Sequence, residues 1–211
     1  MACSEQCRYF EHFLKTFGPA IGKREVPAAS IERYRDKLPD QLLAYWAEHG
    51  WCGYADGLLW TVDPQEYEPV AKAWIGNTSF MQEDTFHIIA RSAFGKLYFW
   101  GEKSGGNKLN IIASDSFALV RAFLPAKDLD QSARVFFGAK SRDAVDYEAE
   151  QGPLFAPALA RLGRLQDDEI YGFVPALALG GAPVLKNLQK VKAVEHLVML
   201  AQLAPLKVMR T

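Results

Sequence analysis

Gly101, Gly105 and Gly106 crowd into eight residues that end at Lys108, directly after a β-rich run. Backbone amides in such a setting can cradle a phosphate where a strand turns into a helix. A phosphate loop of that kind closes on Gly-Lys-Ser/Thr. Here Asn107 parts Gly106 from Lys108, no hydroxyl residue follows, and residues 109–113 read as another strand, so the segment is expected to be a hairpin loop. His49 and Cys52 stand three apart, and Cys3, Cys7 and His12 are loosely spaced. A zinc site needs paired ligands such as Cys-x2-Cys or His-x3-His, and neither occurs. A nucleophilic centre would need an activated Ser or Cys beside a base, yet no Gly-x-Ser-x-Gly elbow exists and Cys52 with His49 is the one pair to consider. No catalytic, cofactor-binding or metal-ligating residue is assigned.

Carboxylates gather in two places, as Asp167-Asp168-Glu169 and as Asp143, Asp146, Glu148 and Glu150. Such groups bind metals or move protons in some sites, face solvent in most, and in others meet a basic partner, where complementary charge speeds encounter and rejects wrong partners. Aromatic side chains offer a second kind of contact. Trp51 and Tyr54, in a segment flanked by Gly50 and Gly57, are expected to be an exposed turn, and Tyr171 stands beside the acidic turn. Large aromatics of this kind anchor interfaces. The candidate contact set is therefore Asp167, Asp168, Glu169, Tyr171, Trp51 and Tyr54.

The 211 residues carry 24 Lys and Arg against 25 Asp and Glu, a net charge of -1. No global field draws the chain to nucleic acid or to an anionic membrane. Half of the residues, 49%, are hydrophobic, which suits a folded globular protein and excludes a disordered one. The first 20 residues are interrupted by Glu5, Arg8, Glu11, His12 and Lys15, unlike a signal peptide, and no apolar run is long enough to span a bilayer. Three cysteines cannot all pair within one chain. A cytoplasmic location is expected.

Helical spacing of Tyr9, Phe10, Phe13 and Phe17 predicts a first helix over residues 5–17, stopped by Gly18-Pro19. Val26-Pro27 opens a second, ended by Pro39, and residues 40–49 form a third before Gly50. Residues 57–62 are a strand candidate. Asp63, Pro64 and Glu66 have the spacing of a capping box, predicting a helix to about Ile75. Residues 86–93, 96–100 and 109–113 predict an antiparallel meander, and residues 115–124 a helix ended by Pro125. Beyond a boundary at 125, a short helix follows Gly152-Pro153, residues 170–179 are extended, and residues 184–203 predict one long helix. Its lysines, Lys186, Lys190 and Lys192, with Lys207 and Arg210, read as a solvated face, or as a DNA contact in a regulator. Helices and strands in blocks indicate an α+β fold, with N-terminal helices and an antiparallel sheet followed by a smaller α+β subdomain.

The order of segments resembles a bacterial pair, a GAD-like domain followed by the C-terminal domain of type VI secretion immunity proteins. The first is carried by Gly18-Pro19-Ala20, Val26-Pro27, Leu38-Pro39, Tyr45-Trp46, Gly50-Trp51, Gly57-Leu58-Leu59-Trp60, Val62-Asp63-Pro64, Ala93-Phe94-Gly95 and Phe99-Trp100-Gly101. The second is carried by Asp168-Glu169, Tyr171-Gly172-Phe173-Val174-Pro175, Leu179-Gly180-Gly181 and Lys190-Val191. The resemblance implies domains at residues 1–125 and 126–211. It also implies an immunity protein that binds a cognate secreted toxin, commonly a nuclease, by stoichiometric occlusion without turnover, with neither membrane nor nucleic acid as a partner. The rival readings are a small-substrate enzyme centred on the glycine loop or on Cys52 and His49, and the DNA-binding regulator.

Overall fold

A computed structural model describes residues 5–211, with side chains from Arg8 onward. Cys3 and the side chain of Cys7 lie outside what is described. Helix α1 (Glu5–Phe17) leads through strand β1 (Ile21–Arg24) to α2 (Ala28–Tyr34) and α3 (Asp40–His49). Both later helices are entered from a proline, Pro27 and Pro39, whose fixed φ suits a helix start. Strands β2 (Trp51–Tyr54) and β3 (Leu59–Thr61) follow, then α4 (Glu68–Ile75) and the short α5 (Phe80–Glu83). The meander is β4 (Phe86–Ser92), β5 (Lys96–Gly101), β6 (Gly105–Ile112) and β7 (Phe117–Val120). Next come α6 (Leu129–Gly138), α7 (Arg142–Val145), a small ribbon of β8 (Glu148–Ala149) and β9 (Gly152–Pro153), and α8 (Phe155–Leu162). Hairpin strands β10 (Glu169–Phe173) and β11 (Leu188–Lys192), helix α9 (Ala193–Leu203) and β12 (Lys207–Arg210) complete the chain. The class is α+β.

Eight strands form the main sheet in the order β1-β2-β3-β4-β5-β6-β7-β12. All neighbours are antiparallel except β12, which returns from the C-terminal end to lie parallel to β7, Lys207 opposite Phe117 and Arg210 opposite Val120. Aromatic rings lock helices to the sheet. Phe13 meets Tyr54 at 4.8 Å and Phe137 of α6 at 5.3 Å, and Phe10 stacks on Tyr45 at 4.3 Å. Such pairs add about 0.5–1.5 kcal/mol each beyond the area they bury. Buried side chains from Phe10 to Leu200 form one hydrophobic cluster, so the C-terminal segment shares a core with the sheet.

The α9 helix is fastened where the sheet turns. Trp74 Nε1 donates to the Leu197 carbonyl at 3.0 Å. Gly95, at φ 76° in the β4–β5 turn, leaves the space that Leu197 fills, since a Cβ there would stand 2.9 Å from its Cδ2.

Several sequence expectations need correction. Residues 117–120 are strand β7, not helix, because the burial alternates along them and both flanks find partners in β6 and β12. The long C-terminal helix begins only at Ala193. Before it, β11 pairs with β10 and sets Lys192 opposite Glu169, a favourable cross-strand pair. The helix expected after Asp63 begins at Glu68 instead. Asp63 Oδ1 accepts the Gln65 amide at 2.9 Å in a side-chain-capped turn, and Glu66 turns away to Arg24. Residues 129–138, left unassigned in the sequence, form α6, capped by Asp128 accepting from the Gln131 amide at 2.8 Å.

Candidate partner-binding surface

The acidic turn sits at the open end of the β10–β11 hairpin, and the main sheet holds it from below. Arg91 of β4, wholly buried, extends one guanidinium nitrogen to the Asp167 carbonyl at 2.6 Å while its Nε donates to the Tyr67 hydroxyl at 2.8 Å. The Ala193 amide donates to the Asp168 carbonyl at 2.8 Å, and Glu169 Oε2 accepts the Gln166 amide at 2.9 Å. The backbone of the turn is thus fixed from three sides. The carboxylates of Asp167 and Asp168 are exposed and that of Glu169 half-buried.

Their charge is partly matched in place. Lys192 bonds the Asp168 carboxylate, which with the charge of Glu169 raises the lysine's pKa, and Lys190 lies 3.6 Å from Glu169. Asp167 lines the same crevice as the Arg24 guanidinium, which is clamped by both Glu66 oxygens at 2.7 and 2.9 Å and lies 5.0 Å over the Trp51 ring. Arg164 reaches Asp56 at 2.9 Å. The surface is a mosaic of exposed ion pairs around a crevice of about 60 Å³ walled by Trp51, Trp60 and Tyr67. Exposed pairs of this kind contribute about 0–1 kcal/mol each, so a partner can exchange them at little cost to the fold. At the other end of the hairpin Val174 and Leu179 stand exposed, Leu179 at 65%. An apolar tip with a charged flank has the make-up of a contact face.

The three aromatics expected from the sequence to be contact anchors are buried, Trp51 reaching the surface only as a wall of the crevice. Trp51 and Tyr54 are buried because residues 51–54 form a strand inserted between β1 and β3, not a turn. Tyr171 is buried as well, 1% exposed, with its ring against Phe94 and Phe155 and its hydroxyl donating to the Gly163 carbonyl at 2.7 Å. It ties the hairpin to the end of α8. Burial, with the charge of Glu169 adding, pushes its pKa up to about 12. The raised value means the folded state keeps the phenol proton that the unfolded chain releases near pH 10, so this stability is lost as pH climbs from 10 to 12. Tyr171→Phe is expected to cost about 1 kcal/mol at neutral pH and to flatten the fall of stability between pH 10 and 12, checked by urea unfolding across pH.

The other chemical candidates resolve into structure. The loop between β5 and β6 turns its amides onto a carboxylate of the chain itself. Asp84 accepts from Ser104 N at 2.8 Å, Lys103 N at 3.1 Å and Thr85 N at 2.8 Å. A Cβ on Gly101 would meet Asp84 Oδ2 at 2.3 Å, which is why the carboxylate can come so close. Cys52 is fully buried, its neighbours are the Gly50 carbonyl and Thr61 Oγ1, and burial raises its thiol pKa. His49 instead stacks on Phe10 at 4.5 Å, and burial lowers its pKa. His87 meets Glu102 at 2.8 Å. Among the described residues no three His, Cys, Asp or Glu side chains cluster as a metal site would need. No described helix is long and apolar enough to cross a membrane.

Comparison with known proteins places the two parts of the chain separately. Residues 8–114 match the family model of the GAD-like domain, and residues 130–204 match that of the T6SS immunity protein Tdi1, C-terminal. Among solved structures, the crystal structure of Atu4351 from Agrobacterium tumefaciens superposes with a TM-score of 0.85 at 24% identity, over 96% of this chain and 92% of that one. That likeness is one of fold. Nothing among curated proteins matches.

Proposed function

Because this chain belongs to the GAD-like family and carries the C-terminal domain of a type VI secretion immunity protein in the same fold, we propose that it neutralises a cognate secreted toxin by forming a one-to-one complex without turnover. The observation that carries this reading is the match to the immunity protein domain over residues 130–204, the part of the chain that builds the acidic hairpin. The toxin is read as a nuclease. A nuclease binds polyanions through a basic surface, and Asp167, Asp168 and Glu169 offer the opposite charge on a rigid turn. Such a toxin meets its substrate in the cytoplasm, and its blocker acts there.

Lys190 and Lys192 balance the turn in the free protein, so binding exchanges one set of exposed ion pairs for another. Affinity then rests on the fit around these carboxylates and on exposed apolar contacts such as Leu179, over roughly 1,200–2,000 Å² of buried surface. Tyr171 supports the turn from beneath. Trp51 and Tyr54 serve in the same indirect way, as the floor on which Arg24 rests and as core.

Expression with the product of the adjacent gene tests the proposal. Co-purification of the two, and rescue of cells that the neighbour alone kills, are expected. A harmless neighbour that does not bind would remove the immunity reading. The triple change Asp167→Lys, Asp168→Lys and Glu169→Lys breaks two ion pairs and one capping bond and sets like charges opposite one another, so it is expected to cost the fold about 1–3 kcal/mol and to weaken toxin binding by at least about tenfold, read on protein shown by circular dichroism to be folded. Unchanged affinity in a titration would take the acidic turn out of the interface.

A further inference from the structure

On the far side of the sheet from the hairpin residues already discussed, β5 and β6 meet α6 and α7 around a cavity of about 410 Å³. Tyr98 and Asn110 are cross-strand partners in its wall. The Tyr98 hydroxyl and the Asn110 amide oxygen are both buried without a hydrogen bond. Leaving a buried polar group unpaired costs about 1–3 kcal/mol, so a ligand hydroxyl that reached these two groups through a small shift of the side chains covering them would relieve that cost. Three cations line the same space, Lys96, Lys140 and Arg121, and no Asp or Glu side chain does.

None of the three cations is neutralised. The Lys140 ammonium rests 3.9 Å from the Tyr98 ring centre and 3.8 Å from that of Phe136, with no ion pair. Burial, and then the charge of Lys96, pulls its pKa well below the ordinary lysine range, a cost that an arriving anion would reverse. Lys96 donates to the Ala144 carbonyl at 2.9 Å. Arg121 is exposed at the mouth and has no side-chain partner among the described residues. Leu119, Val135 and Val145 give the space an apolar side.

We propose that this cavity is a binding site for a small hydroxylated organic anion, whose phosphate or carboxylate head lies against Lys140, Lys96 and Arg121 and whose hydroxyls pair with Tyr98 and Asn110. The size suits one small molecule, and the mix of apolar wall with few convergent polar groups is that of a ligand pocket. The site is independent of the immunity reading, since none of its residues belongs to the acidic hairpin.

The test is calorimetric titration of the full chain with four probes: ribose 5-phosphate, malate, inorganic phosphate and ribose. Ribose 5-phosphate or malate is expected to bind with a Kd below about 1 mM, and whichever binds assigns the head group as phosphate or carboxylate. Inorganic phosphate is expected to bind at least about tenfold more weakly, and ribose not measurably, because each satisfies only half of the site. Lys140→Met and Tyr98→Phe are each expected to weaken the binding about fivefold to tenfold, while Lys72→Met, on the exposed face of α4, leaves it unchanged. Tyr98→Phe removes only a hydroxyl without a partner, so it keeps the test decisive even if Lys140→Met does not fold. Absence of saturable binding by both organic anions, or binding that Lys140→Met and Tyr98→Phe leave intact, overturns the proposal.

Discussion

Arg91→Ala should remove about 3–5 kcal/mol of stability, the largest loss expected from any single change considered for this protein. The side chain is wholly buried and holds two polar groups that have no other partner nearby, the Tyr67 hydroxyl and the Asp167 carbonyl. Its removal orphans both and opens a hole beside the Trp60 ring, which the guanidinium faces at 5.4 Å. A domain of this size has about 5–15 kcal/mol to lose, so the variant should sit at the edge of folding at 37 °C. Urea unfolding measures the loss. Hydrogen exchange at residues 166–169 should speed up more than in the meander, because the acidic turn loses the arm that fixes it. Arg91→Lys keeps the charge without the planar fork, reaches one partner at most, and should recover less than half of the loss. A cost under about 1 kcal/mol for Arg91→Ala would mean that water takes over both bonds.

The second large effect is expected from Asp84→Ala, at about 2–4 kcal/mol. One nearly buried carboxylate there serves three backbone amides, those of Thr85, Lys103 and Ser104. Without it the β5–β6 loop has donors facing one another in a space that Gly101 keeps tight. Asp84→Asn retains the shape but turns an NH2 group toward N–H donors, and should cost roughly half as much. Thermal unfolding of the two variants against the parent gives the order, and an Asn variant as stable as the parent would show that the charge is not what organises the loop.

How far these arrangements can be read in the sequence depends on where each element finds its partners. Helices α1 to α3 and strands β4 and β5 were legible because prolines, glycines and regular apolar spacing lie within the elements themselves. Strands β7 and β11 were not. Their apolar residues also fit helical spacing, and what makes them extended is a neighbour far along the chain, β12 for the one and β10 for the other. Helix α6 carries a readable start, Asp128 before Leu129, and a core pair, Phe136-Phe137, but the charged residues between them dilute the apolar spacing. The acidic turn was visible as three adjacent carboxylates, but their pairing with Lys190 and Lys192 follows from hairpin register. Trp51 and Tyr54 show the opposite failure. Glycines around aromatics suggested a turn, and a strand on each side buried them.

The parallel pairing of β12 with β7 joins residues about ninety positions apart, and it lies outside both family matches, which end at 114 and 204. The sheet therefore cannot finish until residues 207–210 have left the ribosome. Until then β7 is an open edge, and an open edge recruits other strands. Folding should accordingly have a late, slow step that waits on the C-terminal strand. Fragments cut at the family boundaries would lack both strands of this seam and should be prone to self-association, which makes the two halves poor candidates for independent modules.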